Sequence, residues 1–348
     1  MLKKTLRAAA WLAAILAVLA ICAYLYARGF GLDAATPADP LATPEGLAYL
    51  KNSVPAKRGR VLAVVSSAPR FPGTQKKAGY ELTELSRAYY VFQANGYEVD
   101  IASPAGGQPA ARIDDDDMRD VDYAFLNDAA ARRKLADTLP LARVDPSNYA
   151  AVYFVGGKGA MFDFPGNADI NRIARAVAER GVVGAVCHGP AALLDVTLAN
   201  GRPLVAGKRM TGFSNDEELF LMKDARARFP FLLEDRARER GARFEAGPKF
   251  VDTTVVDGRL VTGQNPWSTW SVAEAMVAAL GHRPVARERT PEEHSVRMLA
   301  AYYQGGLSAA RAERVARFDP SLVLLHALVA AMQWRVADAF QLQRLARG

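Results

Sequence analysis

Gly184-Ala185-Val186-Cys187-His188-Gly189-Pro190-Ala191-Ala192 decides how this chain is read. The apolar run from Gly181 to Val186 predicts a buried strand. Pro190 to Leu198 predicts a helix, with proline in the first turn, where a missing N–H costs nothing. The thiol therefore falls on a strand-to-helix turn. Gly184, Ala185 and Gly189 are small enough to let strand and helix approach closely. This is a nucleophile elbow with sulfur in place of oxygen. A helix N-terminus beside the sulfur lowers its pKa and favours the thiolate. His188 is placed to carry a proton. The bland alternative is a buried, inert cysteine.

Elements of the same kind extend on both sides. Val61 to Val65 is a continuous apolar strand. Glu81 to Asn95 is a helix with Leu82, Leu85, Tyr89 and Phe92 on one face, ended by Gly96. Glu98 to Ser103 is a strand, and so is Ala150 to Val155, which ends at Gly156-Gly157. Asp169 to Arg180 is a helix leading into the Cys187 strand. Val251 to Gly263 reads as a hairpin turning at Asp257-Gly258, and Ser268 to Leu280 as a closing helix. The alternation predicts an α/β fold, a doubly wound and mostly parallel sheet sandwiched by helices. Sites in such sheets form at the C-terminal strand ends. Cys187 and Gly156-Gly157 both lie at such ends, so two signals meet in one crevice.

The chain has 348 residues and is 50% apolar, enough for one large domain with appendages. Its net charge of +7 sits in the flanks. Residues 1–28 carry four basic residues and no acid, and residues 282–348 carry ten arginines against six acids. The middle is close to neutral, which speaks against nucleic acid as a partner. Cys22 and Cys187 are the two cysteines and imply no disulfide framework. His188, His282, His294 and His326 are scattered without metal-ligand spacing, so no metal is expected.

Ala8 to Ala27 is an uncharged run of twenty residues, the length of a bilayer core. Lys3, Lys4 and Arg7 precede it. The expectation is an anchor over 1–28 with a cytoplasmic N-terminus, which places the rest in the periplasm of a Gram-negative host. A cleaved signal peptide, or a domain left in the cytoplasm, are the alternatives. Residues 29–58, with Pro37, Pro40, Pro44 and Pro55, read as a semi-rigid spacer, 59–281 as the catalytic domain and 282–348 as a helical extension. In that extension Leu325, Val329, Met332, Val336 and Phe340 share a helical stripe too short to span a membrane. It packs on the domain or a partner, or lies on a membrane surface. Asp114 to Asp117 is an acidic run without the spaced ligands and turn glycine of a calcium loop, and reads as solvated.

A cysteine nucleophile needs a field favouring the thiolate, a proton carrier, and donors for an oxyanion. His188 is the adjacent carrier. Glu84 is the best remote one, off the apolar face in the first turn of its helix; a favourable charge at a helix N-terminus is its bland alternative. Gly156 and Gly157 let backbone N–H groups face the pocket, Lys158 lines it beside them, and the His188 N–H stands opposite. Asp216, Glu217 and Glu218 begin another helix after Ser214-Asn215. One of them orients His188, with Asp216 the first choice; an ordinary helix cap is the other explanation.

These stretches resemble the PfpI superfamily, whose fold is flavodoxin-like and similar to class I glutamine amidotransferases. Gly79-Tyr80-Glu81-Leu82-Thr83-Glu84-Leu85, Tyr89-Tyr90-Val91-Phe92, Ala102-Ser103-Pro104-Ala105-Gly106-Gly107, the Cys187 stretch, and Thr262-Gly263-Gln264-Asn265-Pro266 carry the likeness over roughly residues 60–281. They are most similar to its glyoxalase III and stress-chaperone branch. The resemblance implies a nucleophilic Cys187, a proton-transferring Glu84, His188 beside the thiol and an acid near Asp216. It implies cofactor-free conversion of methylglyoxal to lactate, and a homodimer. A cysteine amidase or peptidase, and a non-enzymatic chaperone or thiol sensor, remain open on the same scaffold. Two departures stand out. Lys158 occupies a position where the family often has histidine, and the family usually lacks an anchor.

Overall fold

The computed structural model describes residues 2–28, 37–55, 57–114 and 117–347, without the side chains of residues 2–10, 23, 26 and 27. Residues 29–36 of the expected spacer, and Asp115 and Asp116 of the acidic run, lie outside the described residues. The chain divides into two compact units. One runs from Ala38 to Glu288; the other comprises the N-terminal helix Leu2–Arg28 and the chain from Arg289 onward.

The larger unit is built on seven strands: β1 Arg60–Val64, β2 Glu98–Ser103, β3 Leu139–Pro140, β4 Ala151–Phe154, β5 Val182–Val186, β6 Thr254–Asp257 and β7 Leu260–Gly263. Their order is β6-β7-β5-β4-β1-β2-β3. All neighbours are parallel except the β6–β7 hairpin. Every residue of β4, β5 and β7 is buried, as expected for a sheet covered on both faces. The chain steps from β1 outward to β2 and β3, then returns to add β4 on the other side of β1. That reversal opens a crevice at the C-terminal ends of β1 and β4, and β5 ends beside it. The register aligns Val64 with Phe154, and Phe154 with Ala185.

Four helices of this unit matter to the crevice: α1 Leu82–Ala94, α2 Ala168–Arg180, α3 Asn215–Leu221 and α4 Thr269–Ala279. Within the stretch read as a spacer, residues 44–46 and 48–52 form two 3-10 turns. Leu47 is buried, and the Tyr49 ring meets Trp270 edge-on at 6.2 Å. Glycine sets the tightest approach: a Cβ on Gly184 of β5 would lie 2.1 Å from Met276 Sδ of α4. Gly184→Ala is expected to cost about 1–3 kcal/mol by overpacking. It should show as a lower urea midpoint, partly restored by adding Met276→Ala. An unchanged midpoint would exclude that close approach.

In the smaller unit, α5 Pro291–Ala312 is interrupted at Gly306 (φ 71°) and followed by α6 Pro320–Met332 and α7 Val336–Arg347. The Tyr302 hydroxyl donates to Asp338 at 2.6 Å, and Tyr303 shares a 2.8 Å hydrogen bond with His326 Nδ1. The single stripe expected from Leu325 to Phe340 is split, because Trp334 turns the chain at φ 60°. Val329 is buried, while Leu325, Met332, Val336 and Phe340 are exposed.

The expected membrane anchor needs correction. Among the described residues no helix is long and apolar enough to cross a membrane. The periplasmic placement that depended on the anchor falls with it.

Candidate active site

Cys187 follows the last residue of β5 at φ 58°, a left-handed conformation that non-glycine residues rarely adopt. Two backbone bonds hold it there: its N–H donates to the Gly263 carbonyl at 2.9 Å, and its carbonyl accepts from Phe213 N–H at 2.7 Å. A Cβ on Gly189 would lie 2.2 Å from the Phe154 carbonyl oxygen, so only glycine permits this turn beside β4. The elbow expected from the sequence is therefore present. The helix behind it is not. Residues Gly189–Leu193 form a five-residue 3-10 turn in place of the α-helix expected over 190–198.

That difference changes the electrostatics. A short 3-10 turn aligns few peptide dipoles, and Cys187 is 5% exposed. Burial pushes the thiol well above its ordinary range, and the neighbouring Glu84 carboxyl adds to the rise; only the Gly157 N–H works the other way. Both influences favour the protonated thiol, the opposite direction from the helix-dipole effect expected of the elbow.

Glu84 stands in the first turn of α1 and is wholly buried. Its Oε2 accepts from the Gly156 N–H at 2.8 Å, the carboxyl meets the Cys187 sulfur, and Oε1 is buried without a hydrogen bond. Burial, and then the charge of Glu81, raise its pKa well above the carboxylate range. Glu81 itself is pushed up by burial to about 8. Two acids in contact in so dry a place cannot both ionise near neutrality, so the Cys187–Glu84 pair retains at least one proton. Gly156 explains the closeness: its added Cβ would lie 2.5 Å from Glu84 Oε2 and 2.7 Å from Cys187 Cβ. Tyr153 on β4 fixes the start of α1 by donating from its hydroxyl to the Glu84 carbonyl at 2.9 Å.

His188 Nδ1 lies 3.3 Å from the sulfur, and Nε2 lies 2.6 Å from Glu218 Oε2. Its ring is tilted over Phe213 at 4.6 Å and Phe229 at 5.9 Å. The acidic partner is thus Glu218, and Asp216 is not. The side chain of Asp216 is 81% exposed and pairs with Lys249 at 2.9 Å. Glu217 closes a capping box with Ser214 and accepts from Phe250 N–H and Asn265 Nδ2. Successive helical residues point about 100° apart, so three neighbouring acids of α3 meet three different surroundings. The capping-box spacing Ser214-x-x-Glu217 could have removed Glu217 from the sequence-based choice. Nothing local separates Asp216 from Glu218. Phe213 and Phe229, which wall the imidazole, carried no sequence signal.

Gly157 has φ 96° and lies under the Gly79–Glu81 backbone, where a Cβ would come within 2.6 Å of Glu81 N. Lys158 follows, half-buried at the same strand end. Cys187, His188, Glu84, Gly156, Gly157 and Lys158 are therefore gathered in one crevice, with Glu218 in the place expected for Asp216.

The DJ-1/PfpI family profile matches residues 76–279. A glutathione-independent glyoxalase of Schizosaccharomyces pombe is 34% identical over 238 residues, covering 64% of this chain and 96% of its own. A glutathione-independent glyoxalase of Saccharomyces cerevisiae is 35% identical over 230 residues, covering 63% and 97%. The crystal structure of glyoxalase III from Candida albicans superposes with a TM-score of 0.60 at 31% identity, covering 64% of this chain and 98% of that one. With the sheet order, the cysteine elbow and these likenesses together, the chain belongs to the DJ-1/PfpI family, on its glyoxalase III branch.

Proposed function

We propose that this chain converts 2-oxoaldehydes such as methylglyoxal to 2-hydroxy acids without glutathione. Its being an enzyme of the glyoxalase type is supported by the curated relatives of that name. The observation that carries the reaction is Glu84, a fully buried carboxyl with one unbonded oxygen, held against the sulfur of an elbow cysteine.

The thiol proton passes to His188 Nδ1, 3.3 Å away, while Glu218 holds the other ring nitrogen. Sulfur bonds to the aldehyde carbon, and the new alkoxide takes up a proton to give a hemithioacetal. The backbone N–H groups of Gly157 and His188 are the donors proposed for that oxygen. Ionised Glu84 removes the proton from the former aldehyde carbon and returns it to the adjacent ketone carbon. One carbon is oxidised and its neighbour reduced, so no outside oxidant enters. Water then hydrolyses the resulting thioester, releasing the 2-hydroxy acid and the thiol.

The full-length protein incubated with methylglyoxal should form lactate. In deuterium oxide that lactate should carry deuterium at C2, because Glu84 exchanges with solvent between the two transfers. No lactate from the wild-type protein would end the proposal.

A second reading, a cysteine amidase or peptidase, is favoured by the Cys187–His188–Glu218 line, which is what acyl transfer requires. It gives Glu84 no task.

A further inference from the structure

Lys158 forms no direct ion pair among the described residues, and the nearby carboxylate that favours its charge, Glu218, is already bound to His188. Its backbone is pinned on the turn after β4, where Gly159 N–H donates to the Gly79 carbonyl at 2.9 Å and Met161 N–H to the Lys158 carbonyl at 3.3 Å. Gly157 and Gly159 on either side leave no room for a Cβ, with the nearest atoms at 2.6 Å and 2.5 Å. Its charge is felt by Glu218 and by the Cys187 sulfur, which places the side chain on the crevice side. It is half-buried and makes no ion pair, hydrogen bond or ring contact among the described residues.

The acids that could neutralise it are engaged. Glu218 is bound to His188 at 2.6 Å. Glu84 is bound to the Gly156 N–H, and burial disfavours the charged forms of both Glu84 and the Cys187 sulfur. Burial lowers the pKa of Lys158; the Glu218 carboxylate works the other way, and Arg112 and Lys76 oppose the charge again. Lys76 stands on the aromatic wall of the same crevice: its amine lies 5.0 Å above the Phe71 ring, Phe71 meets Phe229 at 5.3 Å, and Phe229 meets His188 at 5.9 Å. Lys76 forms no direct ion pair among the described residues: its amine meets Met222 Sδ at 3.8 Å, and the Asp224 carboxylate, which feels its charge, is itself bound by Arg228. A partly desolvated ammonium lacking an anion is costly, and a ligand that supplies the anion recovers that cost.

We infer that the substrate is a 2-oxoaldehyde that carries its own anionic group, a carboxylate or phosphate beyond the ketone carbon, paired with Lys158 and with Lys76 at the rim. This rests on the glyoxalase reading and narrows it to a substrate class. The chemistry stays balanced: 4,5-dioxopentanoate plus water gives 2-hydroxyglutarate, with the terminal carbon oxidised, its neighbour reduced and one proton released.

The test compares four substrates on the full-length protein: methylglyoxal, 4,5-dioxopentanoate, the methyl ester of that acid, and 3-phosphooxy-2-oxopropanal. The free acid, or the phosphate, should exceed the neutral ester in kcat/KM by about tenfold or more, and the better of the two identifies the anion. Lys158→Met should remove most of that ratio through KM, and Lys158→Arg should keep part of it. An ester as good as both anions overturns the inference and leaves the glyoxalase reading standing. Failure to turn over any of the four overturns both. The acid-to-ester comparison needs no variant, so a poorly folding substitution does not protect the idea.

Discussion

Cys187→Ala protein should form no lactate from methylglyoxal above the uncatalysed background, a loss on the order of 10⁴-fold or more in kcat/KM. The expectation follows from the sulfur being the atom that bonds to the aldehyde. Alanine keeps the Cβ, so neither the positive φ nor the two backbone bonds of residue 187 change, and stability should move by no more than ~1 kcal/mol. Equal circular-dichroism melting curves for the two proteins would show that chemistry, not folding, was lost. Wild-type lactate formation by the variant would sink the mechanism. The same geometry predicts slow alkylation of Cys187 by iodoacetamide at neutral pH, accelerating as pH rises, because burial and Glu84 both favour the protonated thiol.

Glu84→Gln should lower lactate formation by about 10²–10⁴-fold while the thiol still adds to the aldehyde, visible as a hemithioacetal adduct by mass spectrometry. Glutamine keeps an oxygen for the Gly156 N–H and removes the buried carboxylate at the sulfur. The pH dependence has a definite sign. Glu84 works as a carboxylate, and its pKa lies well above the ordinary value. Wild-type kcat/KM should therefore keep rising beyond about pH 6, where an unperturbed carboxylate is already fully ionised. Stability runs the opposite way. A folded-state pKa above the unfolded one stabilises the protein below the unfolded value, and that contribution is lost as pH rises through the folded value. Glu84→Gln lacks this loss and should be the more stable protein at alkaline pH. If lactate formation survives in Glu84→Gln, proton transfer by Glu84 is excluded. If only amide hydrolysis is found in both proteins, the amidase reading takes its place.

Much of the fold was legible because parallel strands announce themselves. Val61–Val65, Ala150–Val155 and Gly181–Val186 are short apolar runs bounded by turn residues, and each became a strand of the central sheet. Cys187 and His188 could be located because the elbow needs small residues around one reactive side chain, and that requirement is local. The helix behind the elbow was misread, since proline at the start of an apolar segment suits a 3-10 turn as well as an α-helix. The anchor was inferred from composition alone.

What the amino-acid order determined by itself was the crossover sheet, the elbow and the identity of the sulfur, because all three follow from neighbours in the chain. What only the tertiary structure decided was the protonation and partnering of that sulfur. Glu84 lies 103 positions before it and Glu218 31 after it. Their distances, the dryness around them and the choice of Glu218 over Asp216 arise where β1, β4 and β5 end together, and no local pattern encodes a meeting of segments that far apart.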